Sequence, residues 1–250
     1  MPMLLQPSNP VMGDKTFGKA GAVGVEQAMT LNGTVNKTGL LLIFTILTAS
    51  WTWNLARSEN PSAAGLPLIA GLIGGLIVAL ATAYRPAWSP VTAPLYALLE
   101  GLVLGGISAI FETRYPGIAV QAVMLTVGTL VVMLALYRAR IIQATEKFKT
   151  GVFAATGGIM LVYFVSVVLG FFGIQVPKIY DAGPIGILFS LFVVSIAALN
   201  LIVDFDLIEK GAAQGAPKYM EWYGGFAILV TLVWLYMEIL RLLSKLRSRQ

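Results

Sequence analysis

Seven apolar runs separated by short polar connections set the pattern of this chain: residues 38–56, 66–84, 95–112, 118–137, 152–173, 184–203 and 223–243. About 20 apolar residues carry a helix across roughly 30 Å of hydrocarbon, and each run is near that length. Helix is the expected conformation throughout, because an open strand would leave backbone groups unpaired in lipid. The connections are rich in turn formers, as in ENPSAAG (59–65), RPAWSP (85–90), RYPG (114–117) and IYDAGP (179–184). None has room for a soluble domain. The expectation is an all-α integral membrane protein: a cytoplasmic segment, 1–37, one seven-helix domain, 38–243, and a basic tail, 244–250.

Small residues interrupt the runs at helical spacing. Gly71 and Gly75 form one GxxxG and Gly101 and Gly105 another, with Gly74, Gly106, Gly157 and Gly158 beside them or in the fifth run. Such residues let helix backbones approach closely. Trp51, Trp53, Trp88, Trp222 and Tyr223 fall near run ends, where an interfacial aromatic belt belongs.

Composition narrows the chemistry. Of 250 residues, 57% are hydrophobic and 12% charged, against about 25% charged in a soluble domain. The bilayer is therefore the first expected partner. With no histidine and no cysteine, disulfides, Cys or His zinc sites, His-ligated haem and Ser–His nucleophiles all lose essential residues. No enzymatic activity and no cofactor are expected. The net charge of +5 comes without a basic, aromatic-interleaved run, so no nucleic acid is expected either. Residues 1–37 lack the basic and apolar regions of a signal peptide, which leaves the first run as its own insertion signal.

Lys and Arg in the connections set the expected orientation. Lys15, Lys19, Lys37, Arg85, Arg138, Arg140, Lys147, Lys149, Lys210 and Lys218 share one side; only Arg57, Arg114 and Lys178 lie opposite. The ten-residue side should be cytoplasmic, with the N-terminus inside. The tail disagrees, since Arg241, Lys245, Arg247 and Arg249 would then lie outside. Seven full spans remain the preferred reading over a re-entrant last segment, because 223–243 is long enough to cross.

Ionisable groups inside a membrane are costly and mark function, so the acids carry the chemistry. Arg85 closes the second helix, and Glu100 lies five residues into the third, about 8 Å below its end. Asp204 and Asp206 end the sixth run, and Glu221 opens the seventh. On sequence these five positions share one depth at the cytoplasmic mouth. Asp204 and Asp206 could simply cap a helix in water, and Glu221 suits the first turn of a helix electrostatically. Glu100, inside LLEGLVLGG (98–106), resists so plain a role: it should be protonated, paired with Arg85 or another base, or facing a wet cavity. Glu238 lies near the opposite face, spaced to pair with Arg241 as a snorkelling couple. Clustered carboxylates titrate as a coupled set, and their oxygens suit hard cations such as calcium.

The stretches SPVTAPLYALLEGLVLGGISAIFE (89–112), VDFDLIEKG (203–211) and EWYGGFAILVTLVWLYMEILRLL (221–243), with MTLNGTVNKTGLLL (29–42), resemble the Bax inhibitor / YccA-like family in its bacterial branch. The resemblance runs from about residue 29 to 245. It implies seven helices, with two three-helix layers around a central C-terminal helix, in the bacterial inner membrane. It also implies a pH-sensitive calcium leak in some members, and stress survival or restraint of a membrane protease in others. Leak-type members pair aspartates on the sixth and seventh helices and latch them with an arginine at the end of the second. By motif Asp204 matches the sixth-helix aspartate and Arg85 the arginine, whereas the register of ILRLL (239–243) puts Thr231 at the seventh-helix position.

The expected function is a proton-sensitive calcium leak. Asp204 is its gate, Arg85 the latch, Glu100 an acid of the path, and Asp206 and Glu221 auxiliary ligands; Asp204, Asp206 and Glu100 are the candidate calcium ligands. The first rival is a non-conducting regulator that binds another membrane protein, such as a quality-control protease. A proton-coupled transporter is less favoured for want of an internal repeat, and an aspartyl intramembrane protease for want of a second aspartate motif.

Overall fold

The structure, a computed structural model, describes residues 28–173, 179 and 181–249. Lys15, Lys19 and Lys178, used above for orientation, lie outside the described residues, as does most of the segment 1–37. Seven helices among the described residues are long and apolar enough to cross a membrane: α1 Leu31–Ala56, α2 Gly65–Tyr84, α3 Ser89–Arg114, α4 Ile118–Arg138, α5 Glu146–Phe171, α6 Pro184–Ala213 and α7 Met220–Arg247. Single 3₁₀ turns at Pro61–Ala64 and Pro86–Trp88 lead into α2 and α3. The chain is an all-α, multi-pass membrane protein.

The helices start earlier or end later than the apolar runs, because polar residues with local partners continue them. Thr30, extended at φ −126° and ψ 153°, begins α1 by accepting from the Gly33 N–H with its hydroxyl. Thr145 does the same for α5 through the Phe148 N–H. The largest difference is in α6, expected to end at 203 and in fact helical to Ala213. Asp204 and Asp206 therefore sit within a helix rather than at its end. Gly117, at φ 82°, turns the chain between α3 and α4, in a left-handed conformation that glycine adopts without steric cost.

Large apolar side chains cover the outside. Leu66, Leu76 and Ile77 of α2 and Phe164 and Phe171 of α5 are exposed, an arrangement suited to lipid and not to water. Threonines within the helices hide their hydroxyls by donating to the carbonyl four residues back, as Thr38, Thr45, Thr82 and Thr126 do. The most enclosed helix is α7, with 67% of its most apolar window buried against 17% for α1, α2 and α5.

The described residues fall into two compact units. One lies within Gly117–Phe205 and Thr231–Gln250, the other within Pro10–Pro116 and Asp206–Val230; the first is called the α4–α5 unit and the second the α1–α3 unit. In the α1–α3 unit, α3 packs against both α1 and α2. A Cβ at Gly101 or Gly105 would overlap the backbone of α1 at Thr45 or Ala49, and one at Gly71 would meet Leu99 of α3. Both GxxxG pairs are thus helix-packing sites. Gly157 and Gly158 differ: open space surrounds them, so they mediate no close packing.

Candidate functional site

Asp204 is fully buried on α6. Its carboxylate accepts a hydrogen bond of 2.6 Å from the Thr231 hydroxyl on α7. Thr231 is the residue that the sequence register placed at the seventh-helix position. Both residues belong to the α4–α5 unit, where α6 and α7 run side by side. One turn earlier on α6, the buried Asn200 amide donates to Thr156 Oγ1 of α5 at 3.0 Å. A charge-assisted hydrogen bond at Asp204 offsets part of the desolvation of its carboxylate.

Asp206 lies two residues further along the same helix, which turns it to another face. It forms an ion pair of 2.9 Å with Lys210 one turn on. It belongs to the α1–α3 unit. This i, i+4 pair supports the extension of α6 beyond its apolar run.

Glu100 sits in mid-α3. Its hydrogen-bond partner is the Tyr96 hydroxyl, one turn earlier, and the Tyr96 ring stands edge-on to Phe226 with centroids 4.9 Å apart. A Cβ at Gly75 of α2 would lie 3.5 Å from Glu100 Oε2. Of the alternatives open to Glu100, pairing with Arg85 is not the one found among the described residues. Arg85 is exposed, and its guanidinium lies 5.0 Å from the Trp88 ring centroid, because the 3₁₀ turn after α2 carries it back along Pro86–Trp88.

Glu221 bears out the reading that puts it in a helix's first turn, and it has a further job that the sequence did not suggest. It occupies the first turn of α7, but its buried carboxylate caps another helix. Oε1 accepts from both the N–H and the hydroxyl of Thr30, each at 3.0 Å. The same Thr30 hydroxyl receives the Gly33 N–H, so an acid, a hydroxyl and the start of α1 form one chain of hydrogen bonds. A Cβ at Gly33 would overlap this carboxylate. Nearby, the Met29 N–H donates to Ala216 O at 2.7 Å and the Ser89 hydroxyl to Tyr219 O at 2.8 Å.

Glu238 pairs with Arg241, as its spacing predicts, at 2.8 Å. The pair is not a snorkelling couple, however. Glu238 is buried and also accepts from the Tyr163 hydroxyl of α5 at 2.9 Å, and Arg241 bonds the same hydroxyl at 2.7 Å. Sequence reasoning missed Tyr163, along with Tyr96, Thr30 and the buried Lys245. The repeat of polar residues at 231, 238 and 245 on α7 was the available signal for Lys245.

Among the described residues, no group of three or more acidic side chains is placed to hold a metal ion. Asp204, Asp206 and Glu100 each make the separate contacts given above. Fold and site together define a multi-pass membrane protein whose buried acids are each matched by a hydroxyl or a base. A family model described as Bax inhibitor 1 like matches residues 9–248, and the chain belongs to that family. No curated protein and no solved structure matches it.

Proposed function

We propose that this protein is a pH-sensitive cation leak channel, with calcium as the permeant ion and Asp204 as the gate. The observation that carries the reading is a carboxylate wholly buried in an apolar helix that accepts a hydrogen bond from the Thr231 hydroxyl of α7 at 2.6 Å. An ionisable group is expensive at such a place and is retained for ion or proton traffic. A hydroxyl donates to the ionised acid and accepts from the protonated one, so the pair survives either charge state with its proton reversed. Glu100, held by Tyr96, is the second acid of the path. Arg85, Asp206 and Glu221 keep their structural contacts in this reading, and no catalysis or resident cofactor is needed.

The same reading places the protein in the bacterial inner membrane with the N-terminus inside. Part of the basic tail, which argued against that orientation, is engaged inside the protein. Arg241 is paired with Glu238, and Lys245 is buried in hydrogen bonds. Charges engaged inside the protein are not free to act on orientation as loop cations do.

Calcium flux into proteoliposomes, scanned from about pH 5 to 8 across the ordinary and shifted carboxylate range, tests the proposal. The expected result is a pH-dependent flux altered by Asp204→Asn and by Glu100→Gln. Vesicles that stay sealed with every variant would reject the channel and favour a non-conducting regulator that binds a membrane protease.

A further inference from the structure

Within the α4–α5 unit, α6 and α7 are antiparallel in a register fixed by two contacts: Thr231 on Asp204 and Lys245 on Ser190. The contacts lie fourteen residues apart on each helix, or about 21 Å at the helical rise. Residues 231, 238 and 245 share one face of α7, drifting only about 20° per seven residues. On α5, Thr156 and Tyr163 repeat the same spacing. A column of polar side chains results: Asp204 with Thr231, Asn200 with Thr156, Glu238 with Tyr163 and Arg241, and Lys245 with Ser190. The gate proposed above uses only its first member.

The far end of the column is built unlike the rest. Lys245 is 5% exposed, although it lies beyond the apolar run of α7. Its ammonium has three protons, and each has an acceptor: Ile179 O at 2.7 Å, Gly186 O at 3.0 Å and Ser190 Oγ at 2.9 Å. All three are neutral oxygens. The charged groups that act on Lys245 are Arg241, Glu238 and Asp181, and Glu238 is already engaged by Arg241. Two backbone carbonyls and a hydroxyl around one positive centre are the ligand types that hard cations and selectivity filters use.

We propose that Lys245 is a tethered cation occupying an oxygen-lined cation site, and that it thereby plugs the far end of the polar column. Its charge repels an arriving metal ion, and its ammonium fills the space that ion would take. Removing the side chain leaves the three oxygens to an incoming cation. Lys245 is a positioning and sealing residue, and the seal is a different element from the Asp204 gate. The flux readout rests on the leak reading given above.

The test compares calcium and sodium flux in proteoliposomes of the full chain carrying Lys245→Met, Lys245→Arg or Asp204→Asn. Lys245→Met is expected to raise calcium flux at least about tenfold at the pH where wild type leaks least. Lys245→Arg, which keeps the charge, should leak less than Lys245→Met. A general packing defect would instead raise leakage alike in both. If Asp204→Asn changes the flux and Lys245→Met does not, the plug is wrong and the gate stands. If only Lys245→Met leaks, the plug stands and the gate falls. A second variant covers poor folding of the first. The chain has no cysteine, so Ser190→Cys introduces a single thiol. That thiol should resist a membrane-impermeant cationic thiol reagent while Lys245 is in place, and rapid labelling would overturn the plug.

Discussion

The Thr231 hydroxyl donates to Asp204 Oδ2 at 2.6 Å, and both side chains are buried. Where the family resemblance led to the expectation of a second aspartate, this chain has Thr231, so the buried acid on α6 is paired with a hydroxyl on α7. Two carboxylates that close share a proton and titrate together, whereas an acid and a hydroxyl form one titrating unit. Thr231→Asp is expected to steepen the pH dependence of calcium flux. Thr231→Val removes the donor and leaves a buried carboxylate short of a partner, at a cost of about 1–3 kcal/mol. Thermal unfolding in detergent reads the second effect, and an unshifted melting temperature would show that Asp204 does not depend on this bond.

The Glu221 clamp predicts a coupling between distant positions. Gly33→Ala drives the new Cβ into the carboxylate, and Glu221→Ala removes the acceptor from Thr30. Each change should destabilise by at least about 1 kcal/mol, the usual worth of a helix cap. Combined, they should cost clearly less than their sum, because the second substitution relieves the overlap made by the first. Additive losses in a double-mutant cycle would contradict the geometry.

Two pairs of helix glycines should respond oppositely. Gly101→Ala and Gly105→Ala push against the backbone of α1 and should lower stability by about 1–3 kcal/mol. Gly157→Ala and Gly158→Ala meet open space and should be neutral or stabilising by up to about 1 kcal/mol. Melting temperatures of the four variants in one detergent decide the matter.

Thr52 is buried with no hydrogen-bond partner for its hydroxyl among the described residues, unlike the threonines that bond their own helix. Thr52→Val keeps the shape and removes the orphan donor. An increase in stability of about 1 kcal/mol is expected, within the range that mutational data give for a buried unpaired polar group. A loss of similar size would mean that the hydroxyl has a partner in the membrane.

Seven helices could be read from the sequence because apolar length measures the bilayer. Their ends could not, because a helix continues wherever its polar residues find local partners. The Asp206–Lys210 pair carries α6 ten residues past its apolar run, and Thr30 with Gly33 starts α1 seven residues before its own. The site divides along the same line. Glu238 with Arg241 was legible as a spacing of three, and Thr231 as a register. Tyr163 and Thr30 were not, since their acids lie 75 and 191 positions away and nothing local marks them. Glu100 was read as protonated, paired with Arg85 or another base, or facing a wet cavity, and its hydrogen-bond partner is a tyrosine on its own helix, Tyr96, which no spacing rule had marked.

The contact between Glu221 and Thr30 also bears on how the protein is made. Translation delivers α1 to the membrane well before α7, so the amide and hydroxyl of Thr30 wait for an acid that emerges 191 residues later. A nascent or prematurely terminated chain lacks that acceptor however well its earlier helices have inserted. The beginning of α1 thus registers whether synthesis reached α7, and a product that stops short of Glu221 carries its defect at Thr30.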